Sequence, residues 1–300
     1  MSALDHRAFL AGLTTEQRRT LTERSDLPGI VHLTLHIGLI IALGLAIMTG
    51  LPGWPVLMVI QGVLLVFLFT LLHETVHRTP FRTEALNIWA GRLCGLVIFL
   101  PPEWFRYFHL AHHKHTHDPE RDPELESGKP EDWDSYLTYL SGLPVWRFHL
   151  RMLLRNARGK ADDPWLPGSA HDRVRGEAQW MLAIYVAVAL TGLAAGADWL
   201  IWAWIVPMLL GQPFLRLYLM AEHGRCPHVA NMFENTRTTF TAKIVRWLAW
   251  NMPYHAEHHA YPNVPFHKLP ELHALTKPHL RTTQKGYWRF HRGYQRDVLG

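Results

Sequence analysis

No lysine or arginine occurs between Arg24 and Arg78, and none between Arg175 and Arg216. Each gap holds two apolar runs. Residues 31–49 and 55–72 flank the turn-forming Leu51-Pro52-Gly53-Trp54-Pro55, and residues 180–197 and 199–215 flank a break at Gly196-Ala197-Asp198. At about 1.5 Å of rise per residue, such runs measure roughly 26 to 29 Å, the hydrocarbon thickness of a bilayer. Each pair predicts a helical hairpin crossing the membrane twice. A chain that is 48% hydrophobic and 18% charged could be soluble by composition. The separation of charge from apolar runs is what argues for a membrane protein.

All 30 Lys and Arg residues fall within 1–30, 73–179 and 216–300. By the positive-inside bias, both termini and both large polar segments are expected in the cytoplasm, which places a bacterial chain in the inner membrane. The predicted fold is an all-α integral membrane domain over 1–300. It has a cytoplasmic N-terminal segment (1–30), a first hairpin (31–72), a cytoplasmic segment (73–179), a second hairpin (180–215) and a cytoplasmic histidine-rich cap (216–300). Trp54, Trp180, Trp199 and Trp202 lie near predicted span ends, where indoles favour the interface. The first 28 residues contain no apolar h-region, so no cleavable signal peptide is expected. A fifth apolar run, 85–100, is short, contains Asn87 and Arg92 and stops at Pro101-Pro102. It suits an interfacial or re-entrant helix better than a span.

Two cysteines, Cys94 and Cys226, cannot supply a disulfide framework, a four-cysteine zinc site or an iron–sulfur cluster. The 21 histidines can supply another kind of metal site. His73 and His77 stand four apart at the end of the second run and share a helical face. His109, His112 and His113 form an H-x-x-H-H motif, and His255, His258 and His259 repeat it. On a helix the i and i+3 rings are expected to point together and i+4 in a neighbouring direction, so one motif can serve two adjacent metals. His223 follows the last run and should emerge at the same surface.

Of the other histidines, His32, His36, His149 and His171 are expected to be polar tips at the membrane interface, and His228, His267, His273, His279 and His291 surface or packing residues. His115 and His117 are expected to be supporting or incidental. His73-Glu74-Thr75-Val76-His77 also matches H-E-x-x-H, in which Glu activates water on zinc. A catalytic zinc needs three protein ligands, and the surplus of clustered histidines argues for two metals instead. Glu74 then reads as supporting or incidental.

These three boxes resemble those of the membrane fatty acid desaturase and hydroxylase superfamily. The resemblance covers roughly residues 31–280. It is reinforced by Asn251-Met-Pro-Tyr-His-Ala-Glu-His-His-Ala-Tyr-Pro-Asn-Val-Pro-Phe and by Asp118-Pro-Glu-Arg-Asp-Pro-Glu. It implies a non-haem di-iron centre held by His73, His77, His109, His112, His113, His255, His258 and His259, with His223 as a ninth ligand. Asn251, one helical turn before His255, is a further candidate. Such a site uses O2 to remove hydrogen from an unactivated carbon. The product is an alkene, or an alcohol if oxygen is returned. Carboxylates should offset the metal charge by accepting hydrogen bonds from ligand rings, with Glu257, Asp118 and Asp122 as candidates.

The first box has three intervening residues where many acyl desaturases have four, a spacing shared with hydroxylases and ketolases. Spacing therefore leaves desaturation and hydroxylation both open. No fused haem domain or cysteine cluster is present, so electrons are expected from a separate ferredoxin or cytochrome docking on a basic cap; the net charge is +5. Membrane lipid is the expected substrate, and no nucleic-acid module or Gly-rich phosphate loop is found. A non-enzymatic metal transporter or sensor is the alternative class. Its pathway would need ionisable or histidine ligands at mid-span, which the four runs nearly lack.

Overall fold

The computed structural model describes residues 4–300, which are mostly helical. In chain order the helices are α1 (His6–Gly12), α2 (Thr15–Leu21), α3 (Asp26–Met48), α4 (Trp54–Val76), α5 (Glu84–Val97), α6 (Pro102–His115), α7 (Trp133–Ser141) and α8 (Leu143–Ala157). They continue with α9 (His171–Ala195), α10 (Val206–His223), α11 (Met232–Asn235), α12 (Lys243–Leu248), α13 (His255–Ala260), α14 (Leu269–Thr276) and α15 (Tyr287–Tyr294). A short parallel ladder pairs β1 (Thr238–Phe240) with β2 (Thr283–Lys285).

Among the described residues, four segments are long and apolar enough to cross a membrane: Thr15–Met48, Trp54–Val76, Gly168–Ala195 and Leu200–His223. The last begins with a π-helical stretch, Leu200–Ile205, that leads into α10. Where the sequence ends the fourth span at residue 215, the helix continues to His223, because one polar residue facing inward does not stop a helix. α4 likewise begins at Trp54 after Gly53 in the left-handed region (φ 86°), with Pro55 in its first turn, and carries His73 on its last turn.

α4 is the innermost span, and α10 lies against it. The two backbones meet at paired glycines. A Cβ on Gly62 would sit 2.0 Å from the Pro207 carbonyl oxygen, and one on Gly211 would sit 2.2 Å from the Gly62 carbonyl. This is small-residue packing of the kind that brings membrane helices together without a hydrophobic driving force. His73 and His223 stand 11 and 12 residues past these glycines on helices running the same way, so each lies about 17 Å further along.

The apolar run 85–100 becomes α5, and α5 and α6 bend by 102° at the Phe99–Pro101 break. Pro101 and Pro102 cannot continue the helix, and Phe99 adopts a positive φ of 59°. The corner is wedged between the last two spans. The Phe99 ring stacks on Trp204 at 5.2 Å and meets Tyr185 at 4.8 Å. Trp204 Nε1 donates to the Val97 carbonyl (3.0 Å) and Tyr185 Oη to the Leu96 carbonyl (2.8 Å). α9 accordingly packs mainly on α8 and α6, not along α10.

Candidate metal centre

The histidine-bearing helix ends converge. Ligand atoms of His73, His109, His113 and His258 lie within 4.8 Å of one another, as do those of His112, His223 and His259. The two remaining box histidines adjoin these groups. His77 Nε2 is 3.0 Å from His109 Nε2, and His255 Nε2 is 3.1 Å from His223 Nε2. Nine imidazoles from α4, the residue following it, α6, α10 and α13 thus form two neighbouring groups.

Both H-x-x-H-H motifs divide between the groups, but not by the expected pairing. His109 and His113, four apart, face one group, while His112 faces the other. In the second copy His258 joins the first group, and His255 and His259, again four apart, lie together with ring centroids 4.6 Å apart. The helix explains this. At about 3.6 residues per turn, a step of four residues is offset by roughly 40° and a step of three by roughly 60°.

The rings fit a metal and little else. Both ring nitrogens of His73, His113 and His258 are buried without a hydrogen-bond partner, as are Nδ1 of His223 and Nε2 of His259. Polar atoms buried this way are costly unless a cation accepts their lone pairs. Burial, reinforced by neighbouring rings, holds His109, His113, His255, His258 and His259 well below the ordinary imidazole pKa, and burial takes His77 to about 3. They are therefore neutral donors. His112 differs. Burial opposes its charge, but Glu124 and Asp122 together outweigh burial and raise its pKa.

Four groups bias the far nitrogen of these rings. His112 Nδ1 donates to Asp122 Oδ1 at 2.9 Å, and His259 Nδ1 lies 3.2 Å from Thr116 Oγ1. His258 Nδ1 is 3.4 Å from Glu74 Oε1, and His255 Nδ1 is 3.4 Å from Glu222 Oε1. For His112 and His259 this leaves Nε2 to face inward, as neighbouring groups orient metal-binding imidazoles; Glu74 and Glu222 stand at ion-pair distance from their rings without a hydrogen bond.

Of the expected supporting carboxylates, Asp122 alone meets a box ring. Glu257 is buried but faces outward from the centre, where it accepts from Thr238 Oγ1 (2.5 Å) and pairs with His273 Nδ1. Its position between His255 and His258 on a short helix turns it to the opposite side. Asp118 pairs with the exposed Arg121. Asn251 is not a helical turn below His255, since α13 starts at His255 and Asn251 sits in a loop with φ 59°. Its amide donates to the Phe266 carbonyl at 3.0 Å. Glu74, Glu222 and Glu124 are closer to the rings. Glu74, read from the sequence as supporting or incidental, adjoins His73, and Glu222 adjoins His223, the one signal that could have singled Glu222 out. Glu124 Oε2 stands 3.3 Å from His112 Nε2.

His32 and His36 are buried packing groups and not interfacial tips. His32 stacks on Trp250 and Trp247 at 4.0 and 5.0 Å, and His36 Nε2 contacts the Leu64 carbonyl at 2.9 Å. His171 is exposed as expected. His149, expected as an interfacial tip, instead lines a cavity of about 560 Å³ beside the centre. His73, His109, His112 and His255 form part of that wall, which continues over apolar side chains such as Phe69, Phe105 and Leu215.

Apolar spans capped by nine converging imidazoles define a multi-pass membrane protein with a polyhistidine centre suited to metal. A profile of the fatty acid desaturase family matches residues 25–291, and the chain belongs to that family. It is a desaturase-like membrane oxidoreductase. Similar proteins include the sn-1 acyl-lipid omega-3 desaturase (ferredoxin) of Synechocystis sp., 23% identical over 85% of this chain and 77% of its own length. The protein of the same description from Nostoc sp. is 23% identical over 80% of this chain and 72% of its own. The chloroplastic omega-3 fatty acid desaturase of Glycine max is 23% identical over 75% of this chain; the match spans 54%, about half, of that relative's length.

Proposed function

We propose that the two histidine groups hold a pair of irons and that the chain uses O2 to desaturate an acyl chain. The supporting observation is the cavity, whose wall combines His73, His109, His112 and His255 with apolar side chains such as Phe69, Phe105 and Leu215. An alkyl chain lying there would place its C–H bonds against the centre while shedding water, a favourable transfer for apolar surface. Bound iron would supply O2 activation and the oxidising power to break C–H bonds. Overall, one O2, two electrons and two protons convert a CH2–CH2 pair to an alkene and two waters.

The protein's own residues set this up. Asp122 holds His112, Glu74 and Glu222 stand behind His258 and His255, and the four carboxylates counting Glu124 offset the charge of the metals. His223 serves as a ninth ligand, completing the second group. Electrons come from a ferredoxin-type donor, the donor printed in the description of two relatives. A basic cytoplasmic face, with both termini on that side, is where such a donor would dock.

The test combines metal analysis, oxygen uptake and mass spectrometry of lipids from cells with and without the chain. Two irons per chain, O2 use that requires reduced ferredoxin, and a product lighter by two hydrogens are expected. A single labile zinc without O2 use would overturn the reading. A product heavier by one oxygen would replace desaturation with hydroxylation.

A further inference from the structure

Arg216 is a cation inside a membrane-spanning helix with no carboxylate partner. It lies on α10 and lines the cavity described above. Its Nε donates to Gln212 Oε1 at 3.2 Å, and its guanidinium sits over the Tyr139 ring at 5.8 Å. Among the described residues no carboxylate oxygen comes within ion-pair distance of it. The two acidic groups its field reaches are engaged elsewhere: Glu124 with Lys129 at 3.0 Å, and Glu222 beside His255 at 3.4 Å. A charge within a span is expensive, and one facing a cavity without a partner marks a ligand site.

The surroundings of Arg216 are rich in hydrogen-bonding groups that lack partners. His149 lines the same wall, and its Nδ1 is buried with no partner; Trp146 Nε1, 6.0 Å away between ring centroids, is also unpartnered. Lys129 lines the same cavity as Arg216 and Tyr139. Guanidinium and indole N–H both donate, so the corner is complementary to an oxyanion. The cavity also carries charged groups such as Glu124, Lys129 and Asp163, but apolar side chains including Phe69, Phe105 and Leu215 line the part next to the histidines, so an anion held in this corner can end a hydrocarbon body.

We propose that the substrate is a single-chain amphiphile whose anionic terminus, a carboxylate or a phosphate monoester, is held by Arg216 with Trp146. This rests on the acyl-desaturase reading and narrows its substrate class. Arg216 and His223 are seven residues apart on one helical face, a backbone rise of about 10 Å, so an anion on Arg216 is set back from the centre along α10. Oxidation then falls within the chain at a fixed distance from the charged end, and Arg216 acts as a ruler.

The test uses the full chain in nanodiscs, with and without metal, and electron paramagnetic resonance of spin-labelled stearate and its methyl ester. The acid is expected to be immobilised at least tenfold more strongly than the ester. Arg216→Gln should abolish that preference, and Arg216→Lys should retain part of it. Competition by unlabelled stearate against hexadecyl phosphate identifies which anion is preferred. Equal immobilisation of acid and ester by the unaltered protein, a result that needs no variant, would overturn the proposal, as would an undiminished preference in Arg216→Gln. Continued desaturation of a neutral acyl lipid alongside either result would leave the activity assignment standing and remove only this site.

Discussion

Asp122→Asn tests whether the carboxylate behind His112 governs the metal centre. Asp122 Oδ1 accepts from His112 Nδ1 (2.9 Å) and from the Glu124 amide (3.0 Å), and Oδ2 accepts from the His117 amide (2.8 Å). All three partners are donors, and asparagine has only one accepting oxygen. If that oxygen keeps His112 and Glu124, the new NH2 faces the His117 N–H, and a buried donor goes unsatisfied at about 1 to 3 kcal/mol. Loss of the negative charge also weakens the hold on the imidazole tautomer. Substitutions of this kind cost roughly 10- to 100-fold in metal affinity, about 1.4 to 2.7 kcal/mol. The assay is iron retained after dialysis against graded chelator, with thermal unfolding in detergent alongside. Iron affinity within twofold of the unaltered protein would refute the orienting role.

Glu257→Ala should behave in the opposite way. Thr238 and His273 lose their acceptor, costing about 1 to 3 kcal/mol of stability, while iron per folded chain stays unchanged; a drop in stoichiometry would return Glu257 to the metal centre. Gly62→Ala forces a Cβ against the Pro207 carbonyl, where overpacking of about 1 to 3 kcal/mol or more is expected, seen as a lower melting temperature in detergent. An unchanged melting temperature would mean that α4 and α10 do not meet at these glycines. Acid should destabilise the metal-free protein. His77 titrates near 6.5 when unfolded and is held to about 3 by burial when folded, so the unfolded chain binds the proton first. Stability is then full above pH 6.5 and declines as pH falls toward 3; a melting temperature flat from pH 7 to 4.5 would contradict the buried neutral ring.

Much of the centre is legible in the sequence because its spacings repeat. His73 with His77 and the two H-x-x-H-H motifs fix nine donors, counting His223, to ends of apolar or helical segments, and a helix leaves such spacings few directions to point. The carboxylates were less legible. Asp118 and Asp122 sit four apart in one acidic stretch, yet one meets Arg121 at the surface and the other meets His112. That choice depends on how the loop after α6 turns back, with His117 in a left-handed conformation (φ 62°). Asn251 fails for a similar reason: reading it as a turn of helix before His255 assumes a helix that starts at His255 instead.

What the sequence determined by itself is the chemistry available: four apolar stretches long enough for a bilayer and a set of imidazoles too numerous for one zinc. Hydropathy and helical period are local properties, so they survive without coordinates. Tertiary structure alone decided which rings share a group, which acids stand behind them, and that Arg216, outside the expected span, faces a cavity from inside one. Those outcomes depend on two glycines letting α4 and α10 touch and on Phe99 wedging two spans apart, contacts between residues far separated in the chain.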